Sequence, residues 1–184
     1  MEDLEDLEGV QYQQELLLTA DHDDDPEFQA WLARMDTDLD TLVRDDAPDL
    51  GRLPDPWTRE GVQVIAQAAI RRFPTEEFAA ADPDRLDTLN RMWRGIGHVV
   101  ATACEGRWVY RVPMLSEGKP EPAVPMVEIG AWSSWTFQPF PPLGFSISCG
   151  TDTPLLDAVD FTIGEFRAWE QAGRPDPESW FRRR

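Results

Sequence analysis

Residues 82–112 read DPDRLDTLNRMWRGIGHVVATACEGRWVYRV, and this stretch decides the fold. Asp82 can cap a helix, and Pro83 suits its first position, where the missing N–H has no partner to lose. From there Leu86, Leu89, Met92, Trp93, Ile96, Val99, Val100 and Ala103 recur at helical spacing, which predicts one long helix to about Cys104. Gly95 and Gly97 lie inside it, each costing roughly 1 kcal/mol against Ala. They imply either a neighbour packed close to the backbone or a softened helix. After Gly106 the period changes, and Trp108-Val109-Tyr110-Arg111-Val112 reads as a strand.

Downstream, Pro-rich residues 113–123 read as a loop, Val124 to Ile129 as a second strand and Trp132 to Phe137 as a third. Pro139, Pro141 and Pro142 argue against regular structure until about Gly144, and Phe145-Ser146-Ile147-Ser148 offers a short edge strand. Thr153-Pro154 then opens a helix carrying Leu155, Leu156, Val159, Ile163, Phe166 and Trp169. Upstream, Thr58 can cap a helix with Val62, Ile65, Ala66, Ala69 and Ile70 on one side, ended by Pro74. Residues 47–57, with Pro48, Gly51, Pro54 and Pro56, read as a connection. Helices, then strands, then a closing helix define an α+β chain: N-terminal helices, a small antiparallel sheet of three to four strands and a C-terminal helix.

Charge divides the chain unevenly. The 184 residues carry a formal −18, yet residues 1–56 hold 18 acidic and three basic residues (Arg34, Arg44, Arg52), a net of −15. The remaining 17 acidic and 14 basic residues leave only −3. Within the acidic third, Phe28, Trp31, Leu32, Met35, Leu39, Leu42 and Val43 form an apolar helical stripe over residues 25–43, with Asp25, Pro26 and Glu27 as start signals. Asp36, Asp38, Asp40, Asp45 and Asp46 are expected mostly on the solvent side of that helix. Such a face either meets a partner or only keeps the chain in solution. The Glu2-Asp3-Leu4, Glu5-Asp6-Leu7 tandem is expected to fray, and residues 10–19 lean towards helix. Three parts follow: an acidic, partly flexible segment 1–24, a single α+β domain 25–172 and a polar tail 173–184.

This balance excludes several classes of function. A phosphate backbone or an anionic membrane is bound through Lys and Arg, which are in deficit here. No apolar run reaches the roughly 18–20 residues of a span, and the start lacks a basic-then-apolar leader. With two cysteines far apart, Cys104 and Cys149, the expected compartment is the cytoplasm. No phosphate-cradling loop, dinucleotide fingerprint or nucleophile elbow occurs. The acidic runs 21–25 and 36–40 fail as calcium loops, since Pro26 or Thr41 stands where Gly is needed and Leu32 or Ala47 where Glu is needed. His98 and Cys104 lie six apart on one helix, about 120° from a common face, which reads as a core-edge histidine and a structural thiol. The expectation is no enzyme, no metal and no cofactor.

The run Ile96-Gly97-His98-Val99-Val100, followed by Glu105-Gly106-Arg107-Trp108-Val109, resembles a pattern in small bacterial domains of uncharacterised function. In these a helix leads through a G-x-W step into a short hairpin and a closing helix. The resemblance spans about residues 85–165 and implies an immunity-type or accessory protein. His98 stands where those domains often carry Glu, the Pro-rich loop is longer here, and no catalytic residue is implied.

Together these readings predict a cytoplasmic module, of immunity or inhibitor type, that masks a basic surface on a protein partner. Asp36, Asp38, Asp40, Asp45 and Asp46 would supply the field, and Trp132, Trp135 and Phe140 the anchor, with Phe140 presented by a rigid exposed loop. The alternatives are an accessory subunit that binds through segment 132–145 and a nucleic-acid mimic.

Overall fold

Asp25 starts the first helix as its position predicts: one carboxylate oxygen accepts the Glu27 N–H at 2.8 Å and the Phe28 N–H at 3.4 Å. The computed structural model describes residues 22–112, 123–130 and 132–181, apart from the side chains of residues 132–135, 178 and 181. The Glu-Asp-Leu tandem, the helical reading of residues 10–19 and most of the 113–123 loop therefore lie outside the described residues.

The expected single helix over 25–43 is broken at Arg34 into α1 (Pro26–Ala33) and α2 (Met35–Thr41), followed by a wide turn at Leu42–Asp46 and a 3₁₀ turn at Pro48–Arg52. The break serves two docking partners. In α1, Phe28 stacks on Tyr110 at 5.1 Å and Trp31 meets Trp108 edge-to-face at 4.8 Å, both on the sheet. Leu39 and Leu42 instead enter the helical core. One straight helix would have to serve both directions at once.

α3 (Arg59–Arg72) buries Val62, Ile65, Ala66 and Ala69. Thr58 stands at its start without capping it; the hydroxyl donates backwards to the Asp55 carbonyl. After the short α4 (Glu76–Ala80) comes α5 (Pro83–Ala103), whose Asp82 cap accepts from the Asp84 and Arg85 N–H groups as expected. Gly95 and Gly97 answer their energetic cost with contact. A Cβ on Gly95 would lie 2.5 Å from Leu42, and one on Gly97 2.1 Å from the Trp108 ring. Close packing is the reason for both.

β1 (Arg107–Arg111), β2 (Val124–Ile129) and β3 (Trp132–Phe137) form an antiparallel sheet in that order, with Val109 opposite Met126 and an irregularity at Glu128/Ile129. Val127, Ile129 and Phe137 join the core built on α5.

Among the described residues no fourth strand follows. Residues Phe140–Cys149 form a helix, α6, closed by Gly150 in the left-handed conformation (φ 67°). Pro141 and Pro142 open it because the first turn of a helix needs no intrahelical N–H partners. They initiate structure rather than forbid it.

The closing helix α7 (Thr153–Gln171) runs as predicted. Ser146, fully buried in α6, accepts the Leu155 N–H at 3.0 Å and so satisfies an orphan donor in the first turn of α7. Ser146→Ala removes this inter-helix cap. Unfolding free energy should fall by about 1 kcal/mol, read in urea as a lower midpoint with an unchanged slope.

Contacts with the body reach beyond residues 25–172 at both ends. Asp23 accepts the Tyr110 N–H at 2.8 Å and pairs with Arg107 and Arg111 at 3.0 and 2.9 Å. At the other end α8 (Pro177–Phe181) returns to the body, where Trp180 packs on the core and Trp169 Nε1 donates to the Pro175 carbonyl at 2.7 Å. The polar tail is partly structural.

Candidate functional site

Five aspartates were expected to form one outward field, and they divide in two. Asp38 is buried: its carboxylate lies 3.0 Å from Arg94 Nε and 3.4 Å from Arg34 Nε. The Arg94 guanidinium sits 3.7 Å above the Trp31 ring and donates to the Trp31 carbonyl at 2.6 Å. Burial pushes Arg94 down to about 10, against the pull of Asp38. Asp46 is buried too and receives Arg91 and, at 3.4 Å, Arg72. The hydrogen bond from Arg91 to Asp46 raises that arginine above its ordinary range. These two acids therefore hold the α2 segment onto α5 and α3. They are not free to meet a partner.

Asp36, Asp40 and Asp45 remain exposed, on the segment that the buried pair pins down. Asp45 forms a surface pair with Arg44 at 2.8 Å, and that hydrogen bond holds its carboxyl below the usual range. Asp36 lies close enough to His98 to oppose the burial that lowers this histidine. His98 itself packs edge-to-face on Trp57 at 5.1 Å.

Trp132 and Trp135 lie on β3, with Trp132 opposite Ile129 in the ladder; their side chains fall outside the described residues. Phe140 is not presented on an exposed loop. It is half-buried in the first turn of α6 and meets Trp93 edge-to-face at 4.4 Å. The fold gathers Phe140 with three tryptophans from separate elements: Trp31 of α1, Trp93 of α5 and Trp108 of β1. They surround a cavity of ≈ 70 Å³, with Gln138 among the residues that complete it. Gly97, one helical turn after Trp93, was the legible signal, because only a bare backbone lets the Trp108 ring lie there. Trp93 Nε1 is buried and bonds to no described residue.

Burial pushes the Cys104 thiol up to about 12, so it stays protonated at neutral pH. Among the described residues no group of three or more His, Cys, Asp or Glu side chains is placed to hold a metal ion, and no helix is long and apolar enough to cross a membrane. No family model matches the chain, and no curated protein or solved structure matches it.

Proposed function

We propose that this chain is a cytoplasmic binding module, of immunity or inhibitor type, that covers a basic surface on a protein partner. The carrying observation is that Asp36, Asp40 and Asp45 are exposed on a segment that Asp38 and Asp46 hold through arginines of α5 and α3. Acids exposed on a held segment lower the ordering cost of association and steer a cationic surface towards them. The unevenly distributed −18 adds a long-range field of the same sign.

The test compares the native chain with a triple variant, Asp36→Lys, Asp40→Lys and Asp45→Lys, each immobilised and exposed to extract from the native cell. Retained proteins are identified by mass spectrometry as salt rises from about 0.05 M to about 0.5 M. A basic protein should be retained by the native chain at low salt, fall at least about tenfold at high salt, and be absent from the variant. Retention that ignores both salt and charge reversal overturns the proposal.

One observation favours a second reading, that of an accessory subunit held through segment 132–145. Phe145 on α6 is 63% exposed, more than any other large hydrophobic residue described. In that case retention survives the aspartate reversal and is lost in Phe145→Asp. Phe145 is the residue to change because α6 turns it outward, whereas the fold commits Phe140 to Trp93.

A further inference from the structure

We propose that the aromatic cavity between α1, α5, β1 and the start of α6 binds the headgroup of a small methylated ammonium compound. Four rings from four separate elements line it: Trp31, Trp93, Trp108 and Phe140. They come as two edge-to-face pairs, Trp31 with Trp108 at 67° and Trp93 with Phe140 at 72°, so the aromatic walls run in two directions. Ring faces carry negative quadrupole potential, strongest for tryptophan, and attract a cation that comes within about 6 Å. Trp31 already does this within the fold, carrying the Arg94 guanidinium at 3.7 Å while Asp38 answers that charge.

Size and polarity narrow the ligand. A dry cavity of about 150 Å³ accepts benzene, so ≈ 70 Å³ accepts one or two N-methyl groups of such a headgroup, the rest of it staying at the mouth, and no whole cofactor. Among the described residues that line it none ionises, and Gln138 supplies the one side-chain amide. A primary ammonium would bring three N–H donors and a guanidinium five, far more than one amide oxygen can accept. A quaternary ammonium carries the same charge behind methyl groups and needs no acceptor. An anion is disfavoured by the −18 of the chain, of which −15 resides in the third that contains Trp31. A neutral group of the same shape would fill the cavity but gain nothing from the ring faces or from that field.

The probes are choline and its carbon isostere 3,3-dimethyl-1-butanol, which differ only in the charged nitrogen. Each is titrated into the full chain at fixed ionic strength while tryptophan fluorescence and saturation transfer to the ligand methyl resonance are read. Choline should give saturable binding at least about tenfold tighter than the isostere. Trp93→Leu and Phe140→Leu retain apolar bulk but remove a ring face. Each should weaken choline at least about fivefold and leave the isostere nearly unchanged. Two substitutions at different elements keep the test informative if one of them fails to fold, as read by circular dichroism. Equal affinity for the two probes, or no saturable choline signal in the folded native chain, overturns the proposal. The titration uses the isolated chain, so its failure leaves the protein-partner reading untouched, and loss of that partner leaves this site untouched.

Discussion

Arg94→Ala should lower the unfolding free energy by about 3–5 kcal/mol. Arg94 is 1% exposed, and it performs three tasks at once. Its Nε lies 3.0 Å from Asp38, its guanidinium covers Trp31 at 3.7 Å, and it donates to the Trp31 carbonyl at 2.6 Å. Removing it strands the Asp38 carboxylate, whose remaining cation is Arg34, 54% exposed at the side chain. It also releases α1 from α5. The effect comes from the stranded charge more than from the lost attraction, because burying an ion pair costs nearly what the pair returns. A second variant separates these: Arg94→Met combined with Asp38→Leu should recover most of the loss. Urea unfolding measures both. Because burial brings Arg94 down only to about 10, it stays charged at neutral pH, and the loss should not vary there. The pH dependence from this group lies higher. Above about 10 the folded state binds fewer protons than the unfolded one, so this group makes stability rise with pH. If the single and double variants are equally unstable, the stranded-charge account is wrong.

The buried aspartates show which part of this structure was legible from the residues alone. Asp38 follows Trp31 by seven positions and Met35 by three, and precedes Leu42 by four. That is the spacing of the apolar stripe, so its helical position already placed it on the inward face. Asp36 and Asp40 stand two positions either side, and both are exposed. Treating the acidic run as a unit hid the difference, because composition carries no angle whereas helical spacing does. Asp46 follows Leu42 by four and obeys the same rule. The inward partner could not be read in this way. Arg94 looks like any helix-surface arginine until α1 and α2 are docked, 56 residues away in sequence from Asp38 at the nearer contact.

The local signals that held were those with a geometric meaning at one position. Asp25 and Asp82 cap their helices because a short side chain just before a helix reaches free N–H groups whatever the tertiary context. The prolines at 139–142 carried two meanings, since Pro ends a helix from within and opens one at its first turn. What decided between them lay further on, in Leu143, Gly144 and Ile147, which become buried only as one helical face. Likewise the aromatic cavity draws on four elements whose side chains meet only in the folded state.

Gly97→Ala should destabilise the protein by about 2 kcal/mol, the reverse of what helix propensity alone dictates. Propensity favours Ala over Gly by about 1 kcal/mol inside a helix. Packing opposes it: the new Cβ would stand 2.1 and 2.4 Å from two atoms of the Trp108 ring, where ordinary contact needs more than 3.4 Å. The ring cannot yield cheaply. Trp108 is fixed in β1 opposite Val127, and its face or edge is already engaged by Trp31 at 4.8 Å. A shift of more than an ångström therefore reaches α1 and disturbs the tryptophan contacts around the cavity. Gly164 in α7 provides the control within the same chain, since a Cβ there meets nothing within 4 Å. Gly164→Ala should raise stability by about 0.5–1 kcal/mol, with the aromatic circular dichroism unchanged. Gly97→Ala should lower stability and alter that spectrum, because tryptophans are what it displaces. If both substitutions stabilise, the contact between Gly97 and Trp108 is not the reason a glycine stands in the middle of α5. If they move in opposite directions, the energetic concession in α5 is set by the ring it accommodates.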